Sequence, residues 1–147
     1  MIDNETFFAR ATALSEQIKT ERENSVVGMM HPLVTDCDAA AMSVTVEYPA
    51  FPWERNPDGV IHGGIVGTMF DTAMGVAGFA LTGAMTPTIS LTTAFLRPAP
   101  GDGTLVVRAR ITMAGHTVIY LSAEMWDSRA PEQIVATAQG VFRNFAR

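Results

Sequence analysis

The chain has 147 residues, 48% of them hydrophobic and 17% charged, which fits a single domain over residues 1–147 that buries about two-thirds of its unfolded surface. Its net charge of -5, with one lysine and nine arginines, argues against a nucleic-acid surface but leaves room for a local arginine grip on a phosphorylated small molecule. Cys37 is the only cysteine, so neither an internal disulfide nor a cysteine-based metal site is expected.

Residues 1–5 are acidic and carry no signal-like apolar run, so the expected location is cytoplasmic. Residues 4–22 predict an amphipathic helix. Asp3 or Asn4 can cap it, and Phe7, Ala11, Leu14 and Ile18 recur on one face. Met42 to Tyr48 alternate apolar and polar, the pattern of a half-buried strand. Pro49, Pro52 and Pro57 then force an irregular approach to Gly63-Gly64. The helix that follows is apolar nearly all round, with Ile65, Val66, Met69, Phe70, Ala73, Met74, Val76 and Ala77, and Gly83 ends it. Its length would suit a membrane span, but a central aspartate, Asp71, costs about 2.5–3.5 kcal/mol in one, so no membrane is expected. Four strand-like runs close the chain, roughly 88–97, 104–113, 117–127 and 134–145. One helix, one strand, a long helix and four strands in hairpin succession read as α+β, an antiparallel sheet with one central helix laid across it.

Asp71 is the residue that needs explaining. Burying a lone carboxylate unpaired costs several kcal/mol, so it should be partnered, exposed or used. It belongs to a stripe of small and polar residues, Gly64, Thr68, Asp71, Thr72 and Gly75, on one face of the helix. Gly63 and Gly64 stand at the helix start, where free N–H groups and the helix dipole favour negative charge. An acid and an anion cradle on one segment suit acyl transfer: donors stabilise a developing oxyanion while the carboxylate serves as base or nucleophile. Gly63 and Asp71 are about 12 Å apart along a helix, too far to reach one carbonyl. Two antiparallel copies of the helix would bring them together.

The pattern Asn56-x-x-Gly59-x-x-His62-Gly63-Gly64, followed by Asp71, resembles the signature of hotdog-fold acyl-CoA thioesterases. The match is to the PaaI-like branch of the 4-hydroxybenzoyl-CoA thioesterase superfamily. Thr88-x-Ser90-Leu91 leading to Phe95-Leu96-Arg97-Pro98, and Val135-Ala136-x-Ala138-Gln139-Gly140, resemble later strands of that family. The resemblance covers residues 42–145 and leaves the N-terminal helix outside it. It implies a sheet wrapped around the long helix, and a homodimer, or a homotetramer built from dimers, with sites at the subunit interface. It implies Asp71 as nucleophile or general base, and the N–H of Gly63 or Gly64 as the donor to the carbonyl. It further implies that Asn56 and His62 shape the pocket and that Thr88 helps hold the water. Ser90 is the alternative to Thr88, two residues on and expected on the same face.

Arg97, His116 and Arg143 are the candidates for holding coenzyme A phosphates, with His116 standing where the family usually has lysine or arginine. Coenzyme A enters as part of the substrate; no separate cofactor and no metal is expected. Arg108 and Arg110 read as a solvated strand face, and Phe51, Trp53, Phe79 and Phe95 as core residues before pocket residues. The sequence thus predicts hydrolysis of an acyl-CoA or acyl-carrier thioester. The alternatives are a non-catalytic acyl-CoA-binding protein and a hydratase, the latter disfavoured because no histidine follows Asp71 on the helix.

Overall fold

A computed structural model of the protein describes residues 1–21 and 23–146. Three helices, α1 (Asn4–Glu21), α2 (Val26–Met29) and α3 (Gly63–Thr82), accompany six strands. The strands are β1 (Leu33–Asp38), β2 (Ser43–Pro49), β3 (Thr88–Phe95), β4 (Thr104–Ala114), β5 (Val118–Asp127) and β6 (Ile134–Arg143). They form one antiparallel sheet in the order β1-β2-β4-β5-β6-β3. This is the α+β architecture the sequence predicts, a sheet around one long helix with a further helix at the N-terminus. The expected end of the first helix at Arg22 lies outside the described residues.

Two features differ from the sequence reading. β1 was not anticipated, because Leu33-Val34-Thr35-Asp36-Cys37-Asp38 lacks clean alternation; a bulge between Val34 and Asp36 breaks its phase. The last four strands are also not a run of hairpins. Only β4-β5-β6 are, while β3 crosses to the far side of the sheet and pairs with β6. β3 therefore ends the sheet with one edge free.

α3 forms the centre of the core. Met69, Phe70, Ala73, Met74 and Ala77 are fully buried against Val44, Val46, Leu105, Val107, Ile119 and Met125 of the sheet. It is long and apolar enough to cross a membrane, but 56% of its apolar window is buried within the protein, which makes it a core helix. Gly83 stops it in the left-handed conformation, φ 71°, donating its N–H to the Phe79 carbonyl at 2.8 Å. Tyr48 is fully buried under the helix and donates its hydroxyl to the Met69 carbonyl at 2.9 Å. Burial, reinforced by the charge of Asp71, pushes the Tyr48 hydroxyl far above the ordinary phenol range, so it stays a donor.

α1 buries Phe7, Ala11, Leu14, Ser15 and Ile18, the face its spacing predicts, against α3 and β1. Asp3 caps it, accepting from the Thr6 N–H at 2.8 Å.

Candidate active site

The approach to α3 is a tight knot, and Asn56 ties it. Its side-chain oxygen accepts from the N–H groups of Asp58 (3.0 Å) and Val60 (3.2 Å). The Asn56 N–H donates to the Val60 carbonyl at 2.8 Å. Gly59 closes the turn at φ 82°. The 98–103 loop braces this knot: Ile61 N–H donates to the Ala99 carbonyl (2.9 Å) and Arg55 Nε to the Gly101 carbonyl (2.7 Å). Gly101 packs so closely on the Gly59 carbonyl that a Cβ there would collide with it. Glu54, fully buried, accepts from the Phe51 N–H through its side chain (2.8 Å) and from the His62 N–H through its carbonyl (2.8 Å). Burial raises its carboxyl above the ordinary value of 4.5. Every segment around the helix start is thus held by hydrogen bonds, which is what a preorganised donor site requires.

His62 is the N-cap of α3. Its Nδ1 accepts from the Gly64 N–H at 3.0 Å, and its carbonyl accepts from Ile65 and Val66. The Gly64 donor is therefore occupied. Among the described residues no acceptor takes the Gly63 N–H, which is left as the free donor of the first turn. The Phe95 ring covers Gly63, lying 3.2 Å from where a Cβ would stand. Sequence reasoning left the donor as Gly63 or Gly64; the His62 ring occupies the Gly64 N–H, and among the described residues the Gly63 N–H has no acceptor.

Two turns further on, Asp71 is half-buried and accepts from the Thr88 hydroxyl at 2.5 Å. That leaves Oδ2 of Asp71 without a partner among the described side chains. Ser90 does not share this position. A register shift between Thr88, opposite Phe142, and Ser90, opposite Val141, inserts an extra residue. Thr88 therefore faces α3, whereas Ser90 lines a groove with Thr92, Tyr120 and Gln139 on the other face of the sheet. The expectation that the two share a face is corrected by this bulge.

α3 and β3 run in opposite directions. Asp71 meets Thr88 at the start of β3, and Gly63 meets Phe95 at its end. The acid and the free donor thus sit at opposite ends of one edge strand, paired with β6 on one side only. Each end has its own hollow. One, of about 290 Å³, is lined by Asp71, Thr88, Gly75 and apolar side chains of α1 and α2. The other, of about 360 Å³, is lined by Gly63, Val66, Phe95, Leu96 and Arg97. The phosphate candidates divide in the same way. Arg97 lies at the Gly63 end, with Nη1 donating to the Ile134 carbonyl at 2.7 Å. His116 and Arg143 lie at the other end, where Asn144 N–H joins Thr117 at 2.9 Å. All three are exposed, and the Arg143 guanidinium lies 5.7 Å from the Phe145 ring centre.

Sequence reasoning missed the apolar walls of the hollow beside Asp71, Leu14, Ile18, Val27 and Phe142. The buried face of α1 was legible, but nothing in its spacing said that it would lie beside Asp71. None of Phe51, Trp53, Phe79 or Phe95 lines that hollow; Trp53 is exposed and Phe95 lies at the other end.

Comparison with known proteins decides the family. The model of the thioesterase superfamily matches residues 58–132, which include His62-Gly63-Gly64, Asp71 and Thr88. The chain belongs to the thioesterase superfamily. A protein of Halobacterium salinarum, named provisionally as an esterase, is 30% identical over 134 residues, 84% of this chain and 86% of that one. A phenylacetic acid degradation-related protein of Ralstonia eutropha JMP134 is 30% identical, with TM-score 0.74 over 82% of this chain and 89% of that one. The E. coli PaaI protein shares the fold at 18% identity, with TM-score 0.80 over 97% of this chain and 95% of its own. A Streptococcus pneumoniae structure with coenzyme A shares it too, at 18% identity and TM-score 0.66 over 71% and 82%. The protein is accordingly a PaaI-like, hotdog-fold thioesterase.

Proposed function

We propose that the protein hydrolyses acyl-CoA thioesters at a site shared by two antiparallel copies of the chain. The observation that carries this reading is the separation of Asp71 and the Gly63 N–H at opposite ends of the free edge of β3. Pairing that edge with its two-fold mate sets the start of one β3 beside the end of the other. The Asp71–Thr88 pair of one copy then faces the Gly63 donor of its partner, and the dimer carries two such sites. The coenzyme A bound to the Streptococcus pneumoniae relative of this fold supports coenzyme A as the thiol.

In this reading the thioester carbonyl lies against the Gly63 N–H, with its oxygen in the field of the α3 N-terminus. The Thr88 hydroxyl donates to Oδ1 of Asp71 and turns its lone pairs to the attacking water. Oδ2 takes one proton from that water as its oxygen adds to the carbonyl carbon. The tetrahedral oxyanion collapses, the carbon–sulfur bond breaks, and the thiolate leaves and takes up the proton. Asn56 holds the donor turn through its side-chain oxygen, committed to Asp58 and Val60, and its Nδ2 remains a donor available to the acyl carbonyl. Arg97 at the Gly63 end of one copy and His116 and Arg143 at the Asp71 end of the other come to the same shared site, where they are the candidates for the coenzyme A phosphates.

The test is release of free thiol from a panel of acyl-CoAs spanning short, medium, long and aryl groups. Turnover with at least one class is expected. Tight binding of acyl-CoA with no thiol release from any of them would instead make the protein a carrier or sensor.

A further inference from the structure

Gly75 sits one turn beyond Asp71 on the same face of α3, about 6 Å along the axis, and lines the hollow that holds the Asp71–Thr88 pair. Among the described residues nothing requires a glycine there. The position is in the helix interior, its φ lies outside the left-handed region, and a Cβ built on it would meet no atom within 4 Å. Glycine is among the poorest helix formers, so the chain gives up local stability at this position for open space.

The space has a defined shape. Leu14 and Ile18 of α1, each 5% exposed, close one side, and Phe142 of β6, 1% exposed, closes another. Val27 of α2 contributes a further apolar wall. Among the described lining residues, Asp71 is the only ionisable side chain. A cavity of about 150 Å³ holds benzene; this one, at about 290 Å³, has room for one ring with a linker or for an aliphatic chain of similar bulk.

Resting on the thioester-hydrolase reading, we infer that this hollow is the acyl pocket and that Gly75 sets its depth. The substrates are thioesters of compact apolar acids of medium volume. An acyl carbon placed at Asp71 sends its chain past Gly75 between α3 and α1. An acetyl group is too short to reach Gly75, a palmitoyl chain overfills the space, and groups between them fill it.

The experiment compares wild type with Gly75→Ala on acetyl-, octanoyl-, benzoyl- and palmitoyl-CoA, with melting temperature measured in parallel. Wild type is expected to prefer octanoyl- or benzoyl-CoA, and which of the two it prefers tells a flexible chain from a ring. Gly75→Ala should raise Tm by about 2–4 °C, since it removes a helix glycine from an uncrowded position. It should lower the ratio of kcat/KM for the preferred acyl group over acetyl-CoA by about tenfold, the scale of one methyl group in a fitted apolar pocket. A higher Tm with an unchanged ratio would overturn the inference while leaving the hydrolase reading intact. So would an equal loss on every acyl length with a weakened dimer, which would assign the space around Gly75 to the partner chain. No turnover of any thioester by wild type would instead remove the hydrolase reading itself.

Discussion

The two ends of the sheet are managed in opposite ways. At one end β1 is short, broken by a bulge and charged at Asp36 and Asp38. α1 lies along it and is tied to both its ends. Asn4 accepts from the Ala39 N–H at 2.9 Å, and Ser15 donates to the Pro32 carbonyl at 3.1 Å. Such devices blunt a strand edge against pairing with another chain. At the other end β3 carries eight residues without a charge, with Ile89 and Phe95 more than half exposed, and among the described residues no strand pairs with its outer edge. The contrast leaves the β3 edge as the one that the proposed shared site would pair with a second copy, and the catalytic candidates sit along that edge. The charged, covered edge carries none of them.

The largest effect on this contrast should come from the acid behind the open edge. Asp71→Asn keeps the volume and removes the base, so kcat should fall by about 10²–10⁴ while the dimer persists by size-exclusion chromatography. A variant retaining a tenth of wild-type kcat would strip Asp71 of its role. Thr88→Val deletes the hydroxyl that donates to Asp71, and kcat should drop by about tenfold to a hundredfold with little change in KM. Ser90→Ala, on the far face of the same strand, should leave kcat within about twofold; the reverse ranking would mean that the bulge at residue 89 is misassigned. A charge on the open edge comes next. Thr92→Lys should raise the dimer dissociation constant by about tenfold, seen by analytical ultracentrifugation, with activity following dimer content. The smallest effect belongs to the guarded edge. Thr35→Lys in β1 should leave dimerisation unchanged and stability within about 0.5 kcal/mol.

Much of this contrast was hidden in the sequence. The ends of α3 were legible because His62-Gly63-Gly64 and Gly83 carry cap chemistry, and the apolar run between them left no other length. The fold class followed from element order. The free edge did not. β3 and β4 are neighbours in sequence and invite a hairpin, whereas the pairing of β3 with β6 joins residues some 50 apart and leaves no local mark. β1 escaped because two aspartates and a bulge erase its alternation. At the site, the pairing of Asp71 with Thr88 matched the spacing of the family pattern, while the choice of Gly63 over Gly64 needed the ring of His62 in place. Asn56 reads in sequence as a pocket residue, and only its bonds to Asp58 and Val60 show that it holds the turn. The wall supplied by Leu14 and Ile18 depends on where α1 docks, which no local pattern encodes.

Sharing of one site by two chains can be tested most directly by complementation. Gly63→Pro removes the proposed donor with little other disturbance. Residue 63 is the first helical position, where proline is tolerated, and His62 before it, at φ -57° and ψ 135°, already has the conformation a residue preceding proline adopts. The Phe95 ring, 3.2 Å from the new Cβ, has to give by a few tenths of an ångström. Gly63→Pro and Asp71→Ala proteins should each be nearly inactive alone. In a mixed dimer, one site takes Gly63 from the Asp71→Ala chain and Asp71 from the Gly63→Pro chain, and is intact; the other lacks both. Random pairing makes heterodimers about half of an equimolar mixture, so co-refolding should restore about a quarter of wild-type activity. Heterodimers confirmed by mass spectrometry but as inactive as either parent would contradict the shared site.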